Sequence, residues 1–126
     1  MRLLLDSHVA LWWLEASDDL GPDCVARIES ADEVHFSAVT PWELGIKRAL
    51  GKLDFPDGLV PTLESAGFAA LPISAAHAEH APRLPPHHRD PFDRMLIAQA
   101  QLEALHLVSA DASLDPYDVE VLDARR

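Results

Sequence analysis

The sequence predicts an α/β fold: a single domain over residues 1–126, with an open parallel sheet of about five strands and helices on both faces. Two observations predict it. Short continuous apolar runs such as Leu3-Leu4-Leu5 have the pattern of strands covered on both sides. Helix start and stop signals alternate with these runs along the chain, which implies right-handed crossovers between parallel strands. At 126 residues, the chain is long enough to bury about two-thirds of the surface it would expose unfolded.

Each element has its own signal. Leu3 to Leu5 form the first strand and Asp6 ends it, with Ser7 placed to cap a helix from His8 to Leu14. Gly21-Pro22 breaks the chain before a helix from Cys24 to Ser30, and Val34 to Ser37 read as the second strand. Thr40-Pro41-Trp42-Glu43 has the form of a capping box with proline at the first helical position, opening a helix that reaches Leu50 and stops at Gly51. A helix over Val60 to Ser65 ends at Gly67, and Phe68 to Leu71 form the third strand. Ser74 starts a short helix carrying His77 and His80, which read as a surface pair. Pro82, Pro85 and Pro86 stiffen a connector from Ala81 to Arg89. Asp90 then caps a helix that has Pro91 at its first position and runs to about Leu105. His106 to Ser109 are the fourth strand, Asp115-Pro116 a turn, and Val119 to Leu122 the last strand. There is no internal repeat and no low-complexity segment.

Composition excludes several classes. A formal charge of −11 argues against a broad basic surface for nucleic acid, so any grip on phosphate must be local or shared between subunits. Cys24 is the only cysteine, which rules out an internal disulfide and a cysteine-rich zinc site and suits a small core residue in a reducing compartment. No run is long enough to span a bilayer and no signal-peptide core is present, so a cytoplasmic protein with no membrane partner is expected. Trp12, Trp13 and Trp42 have the size and spacing of packing residues, with a partner surface as the second reading.

Ligands on open parallel sheets bind at the carboxyl ends of the strands, near the point where strand order reverses. That rule selects four acids. Asp6 ends the first strand, Glu43 opens the helix after the second, Asp93 opens the helix before the fourth, and Asp111 lies just beyond the fourth. A helix leading into a parallel strand is read as pointing its start away from this edge, so Asp93 is the member whose place stays open. Each acid also has a structural explanation: Asp90 and Asp93 suit a helix start, Glu43 belongs to the capping box and can pair with Lys47, and Asp111 can make a turn. Asp6 is the hardest to explain that way, because an acid at the end of a buried strand carries a desolvation cost.

If the four meet, each like-charged pair at about 4 Å costs roughly 4 kcal/mol at an effective dielectric near 20, a large share of a small domain's stability of about 5–15 kcal/mol. A cation must offset this. Oxygen ligands on rigid element ends favour Mg2+, with Mn2+ as the second choice. A dication held by Asp6 and Asp93 would suit hydrolysis of a phosphodiester. Arg89, Arg94, Lys47 and Lys52 are candidate phosphate contacts, and His87 and His88 stand beside the acidic turn.

Three segments carry a family likeness: Leu-Leu-Leu-Asp-Ser-His-Val-Ala-Leu-Trp-Trp at 3–13, Pro-Trp-Glu-Leu-Gly-Ile-Lys with Gly-Lys-Leu at 41–53, and His-Arg-Asp-Pro-Phe-Asp-Arg-Met-Leu-Ile-Ala-Gln-Ala at 88–100. Ser-Ala-Asp at 109–111 is a weaker fourth. The chain resembles the PIN-domain family, specifically the VapC-like toxins of bacterial toxin-antitoxin pairs. The resemblance implies a magnesium-dependent endoribonuclease whose acidic centre is Asp6, Glu43, Asp93 and Asp111, with Asp6 and Asp93 as principal metal ligands; Ser109, Arg89 and Arg94 are the candidate substrate contacts beside it. It also implies an RNA substrate, a homodimer and an antitoxin that covers the active site. Asp90 and Asp93 lie one turn apart, and the family match favours Asp93. Ser109 stands where relatives often carry threonine. The alternative is a non-catalytic metal-binding interaction module of the same fold. A phosphoacceptor receiver domain is excluded, because the first strand ends Asp6-Ser7 without an acidic pair and no lysine follows Lys52.

Overall fold

The computed structural model of the chain describes residues 1–126. Five strands, β1 (Arg2–Leu5), β2 (Glu33–Ser37), β3 (Ala69–Leu71), β4 (His106–Ser109) and β5 (Val121–Asp123), form one sheet in the order β3-β2-β1-β4-β5. Every pairing is parallel, with Leu5 opposite Phe36 on one side and Val108 on the other. Successive strands step outward from β1 in one direction, then the chain crosses back to place β4 on the other side of β1. The switch point therefore lies between β1 and β4.

Six helices cover the two faces: α1 (Ser7–Leu14), α2 (Pro22–Ser30), α3 (Val39–Ala49), α4 (Leu59–Ser65), α5 (Ala75–His80) and α6 (Pro91–Glu103). Alternation along β1 feeds both cores. Leu3 and Leu5 join Val9, Ile28, Phe36 and Leu63 on one face, while Leu4 joins Leu96, Ile97 and Leu107 on the other. Cys24 lies in the first of these cores, as its size suggests. No helix is long and apolar enough to cross a membrane.

Several local expectations are corrected. The cap of α1 is Asp6, whose carboxylate accepts from the Val9 N–H, and Ser7 is the first helical residue. The capping box at Thr40 does not form: α3 begins at Val39, whose N–H donates to the Ser37 hydroxyl, and Thr40 is turned inward against Ser7. Glu43 instead pairs with Lys47 one turn on, at 2.9 Å. His77 is buried rather than a surface residue; its Nδ1 accepts from the Ser74 N–H and its Nε2 meets Glu103 across the α5–α6 contact. Trp42 is 60% exposed, edge-on to Phe92, so it is not a core residue. The connector begins as a 3-10 turn over Ala81–Arg83, and the last strand starts at Val121, two residues later than its apolar pattern suggests.

The polarity expected for α6 is also corrected. A crossover helix runs antiparallel to the strands it joins, so α6 begins at the carboxyl edge and descends to the edge where β4 starts. Ala104, at φ 55°, ends it and turns the chain into β4. The start of α6, and Asp93 with it, therefore faces the same edge as Asp6.

Candidate metal centre

The strand order sets Asp6 and Asp111 just past the ends of adjacent strands at the switch point, and α3 and α6 bring Glu43 and Asp93 to the same edge. Asp6 is 8% exposed. Its Oδ2 accepts from the Ser109 hydroxyl at 2.5 Å and its Oδ1 from the Val9 N–H at 2.9 Å. Burial nevertheless raises its carboxyl above the ordinary range, the two donors opposing that rise and the Glu43 charge adding to it.

Asp90 and Asp93 separate by role. Asp90 Oδ1 accepts from the N–H groups of Phe92 and Asp93, at 2.8 and 3.2 Å, and is committed to the helix cap. The Asp93 side chain, 21% exposed, makes no such bond and meets His88 Nε2 at 3.1 Å. Its carboxyl is pushed up to about 7, by burial first and then by the charges of Asp90, Glu43 and Asp6, with His88 opposing. These charge effects place Asp6, Glu43 and Asp93 within electrostatic reach of one another.

Glu43 is 4% exposed. Lys47 holds its Oε2, while Oε1 is buried without any donor. An orphaned, buried carboxylate oxygen among like charges is an acceptor waiting for a cation. Asp111 completes the group from β4. Its carboxyl is held below the ordinary range mainly by the Ser113 hydroxyl, and its N–H donates to Ser109. Four carboxylates with an unpartnered oxygen, at rigid element ends, fit a hard divalent ion such as Mg2+ or Mn2+.

The sequence sets His88 in a loop beside the acids; in the structure it enters the group. Its Nδ1 accepts from the Asp90 N–H at 3.1 Å, so the proton resides on Nε2, which lies 3.1 Å from Asp93 and 3.3 Å from Asp111. The ligand atoms of His88, Asp93 and Asp111 all fall within 4.8 Å of one another. The Tyr117 hydroxyl, accepting from the His88 N–H, fixes this loop across the chain. No signal local to 87–89 encodes that contact.

The predicted substrate contacts divide. Ser109 is 2% exposed and links Asp6 to the Asp111 backbone, which makes it a positioning residue. Arg94 directs its guanidinium to the main-chain carbonyls of Ala81, Leu84, Pro85 and His88, tying the proline-rich connector to α6. It has no face left for phosphate. Arg89 is exposed and makes no hydrogen bond or ion pair. Lys47 is engaged by Glu43, and Lys52 stands free on the turn after α3.

The sequence model of the PIN domain matches residues 3–120. The chain belongs to the PIN-domain family. Among curated relatives, it is 33% identical over 119 residues to Ribonuclease VapC22 of Mycobacterium tuberculosis (strain ATCC 25618 / H37Rv), covering 89% of this chain and 88% of that protein. Among solved structures, its fold is similar to VapBC2 from Rickettsia felis bound to a promoter DNA fragment, with a TM-score of 0.71, 12% identity and 98% of each chain covered. It is also similar to VapBC-5, a VapBC toxin-antitoxin member from Mycobacterium tuberculosis, with a TM-score of 0.64, 22% identity, and 98% and 99% coverage. In this PIN domain Asp6 and Asp111 follow the two strands between which strand order reverses, the general ligand position of open parallel sheets.

Proposed function

We propose that this PIN domain, a single domain over 1–126, is a magnesium-dependent endoribonuclease, the cytoplasmic toxin of a VapC-type toxin-antitoxin pair. The observation that carries the reading is the crowding of Asp93, buried beside Asp6, Glu43 and Asp90 so that its carboxyl sits near 7. Such crowding has a use if a dication is bound there. Asp6 and Asp93 would be the principal ligands of Mg2+, or Mn2+ in its place, with Glu43 and Asp111 completing the set. When bound, the ion supplies neutralisation of these carboxylates and draws charge from the oxygens of the scissile phosphate.

The chain's own residues do the rest. Ser109 and the Val9 N–H fix both oxygens of Asp6. Lys47 fixes Glu43 Oε2 and leaves Oε1 as the acceptor that would face the ion. The His88 Nε2–H sits between Asp93 and Asp111, spacing them. Water would then attack phosphorus in line, giving up a proton to solvent as the opposite P–O bond breaks and the departing ribose oxygen takes one up.

Likeness to Ribonuclease VapC22 supports RNA as substrate, and likeness to VapBC complexes supports an antitoxin partner. A homodimer is supported by Trp42, Ile46 and Leu50, an exposed apolar stripe at four-residue spacing on and just beyond α3. The test is cleavage of labelled cellular RNA with Mg2+, with EDTA, and by Asp93→Asn. Cleavage only by the unaltered chain in Mg2+ supports the reading. Metal binding without any cleavage would instead support a non-catalytic interaction module.

A further inference from the structure

Acidic protein and acidic substrate repel, so the cations left free near the metal centre decide how RNA is held. Of the ten lysines and arginines, most are engaged internally, and Arg27, Lys52, Arg89 and Arg125 have no side-chain partner. Arg125 lines a cleft of about 350 Å³ together with Asp6, Asp111, His8 and Trp12. Its guanidinium forms no ion pair with these acids, so it is available to an anion. Trp12 is half-buried and inclined at 52° to the ring of His8, 6.3 Å away, which leaves aromatic surface along one wall.

Arg125 is held there by its neighbours. Ala124 donates its N–H to the Ser109 carbonyl and offers its own carbonyl to the Gly21 N–H, while the Arg126 carbonyl accepts from the Asp23 N–H. The strand that carries Ser109 thus also anchors Arg125. Larger clefts lie elsewhere. One of about 370 Å³ around Cys24, Arg27 and Asp123 contains none of the four acids, and one of about 400 Å³ beneath α4 is walled by Leu11, Phe55 and Leu59.

We propose that the cleft of His8, Trp12 and Arg125 seats a nucleotide of single-stranded RNA adjoining the cleaved bond, its base against Trp12 and His8 and its phosphate on Arg125. This rests on the ribonuclease reading and extends it. An aromatic wall beside an unpaired guanidinium is the combination that binds single strands, by stacking and phosphate neutralisation together. Asp6 and Asp111 line the same cleft, so a nucleotide seated there adjoins these two acids.

The probe is a fluorescein-labelled eight-nucleotide RNA of mixed sequence, titrated by anisotropy in EDTA over a range of KCl concentrations, with its cleavage in Mg2+ measured separately. Arg125→Gln, an exposed change, should weaken binding about 5–20-fold and reduce the salt slope by about one. Trp12→Leu keeps apolar bulk against the core and should weaken binding about 5–50-fold with the slope unchanged. Arg27→Gln should bind as the unaltered chain does. If the unaltered chain cuts the RNA while Arg125→Gln and Trp12→Leu, both folded by circular dichroism, bind as tightly as it does, the subsite is wrong and the nuclease reading stands. If the unaltered chain neither binds nor cuts RNA, both proposals fall.

Discussion

Replacing Asp93 by asparagine should make the metal-free protein more stable at neutral pH. In the folded chain the carboxyl sits at about 7 rather than 3.8. Between those values the folded protein keeps a proton that the unfolded chain has released, so stability falls as pH rises through the window. The penalty is absent below it and complete above it. At 1.36 kcal/mol per tenfold change in proton affinity, the rise sets a ceiling of about 4 kcal/mol. Asparagine keeps the volume and can accept from His88 Nε2 while losing the charge, so about 2–4 kcal/mol should be recovered at pH 8. For a chain of this size that is a melting temperature about 8–16 °C higher, at roughly 4 °C per kcal/mol. Thermal melts in EDTA from pH 5 to 8 read this directly. The slope should flatten in Asp93→Asn without vanishing, because Asp6 is raised in the same direction. Mg2+ should then raise the melting temperature of the unaltered chain and leave the variant's unchanged. A lower melting temperature for Asp93→Asn in EDTA at pH 8 would refute the reasoning and make Asp93 a structural residue.

Other perturbations test the supports. Ser109→Ala removes the donor to a buried carboxylate, so it should cost about 1–3 kcal/mol by urea unfolding and weaken Mg2+ affinity, while Ser109→Thr restores both. Arg94→Lys cannot reproduce the planar fork that reaches several carbonyls of the connector. It should lose about 2–4 kcal/mol and expose residues 81–90 to proteolysis. Gly21→Ala would set a Cβ 2.0 Å from the Arg126 carbonyl carbon, so the 124–126 segment must move and RNA binding should fall as in Arg125→Gln. Nuclease activity should rise from pH 6 to 8 as Asp93 loses its proton, a limb absent if another group controls metal entry.

Much of this arrangement is legible in the sequence because it is written locally. Three leucines followed by Asp6, the Asp90-Pro91 start and Gly51 each declare their role within a few residues. The rule about strand ends nominates Asp6, Glu43 and Asp111; Asp93 stays open under it, because the helix it opens is read as starting at the opposite edge. What sequence reasoning missed depends on distant partners. The capping pattern at Thr40 yields to Ser37 at the end of β2 and to Ser7, which takes the Thr40 hydroxyl. His88 joins the acids because Tyr117 holds its backbone from 29 residues away. Arg94 resembles a phosphate contact until the proline-rich connector folds over it. Arg125 reaches the cleft only through Gly21 and Ser109. Helix polarity needed no distant contact, only the rule that a crossover helix runs antiparallel to its strands.

The central claim is that four carboxylates distant in sequence form one divalent-cation centre. Mn2+ titrated into 15N-labelled protein tests it most directly, since paramagnetic broadening reports distance from the ion. Selective loss of the amide signals around Asp6, Glu43, Asp93 and Asp111 is expected at substoichiometric Mn2+, reversed by excess Mg2+ and abolished by Asp6→Asn. Broadening scattered over the acidic surface, or confined to Asp93 and Asp111 with Asp6 and Glu43 untouched, would contradict it.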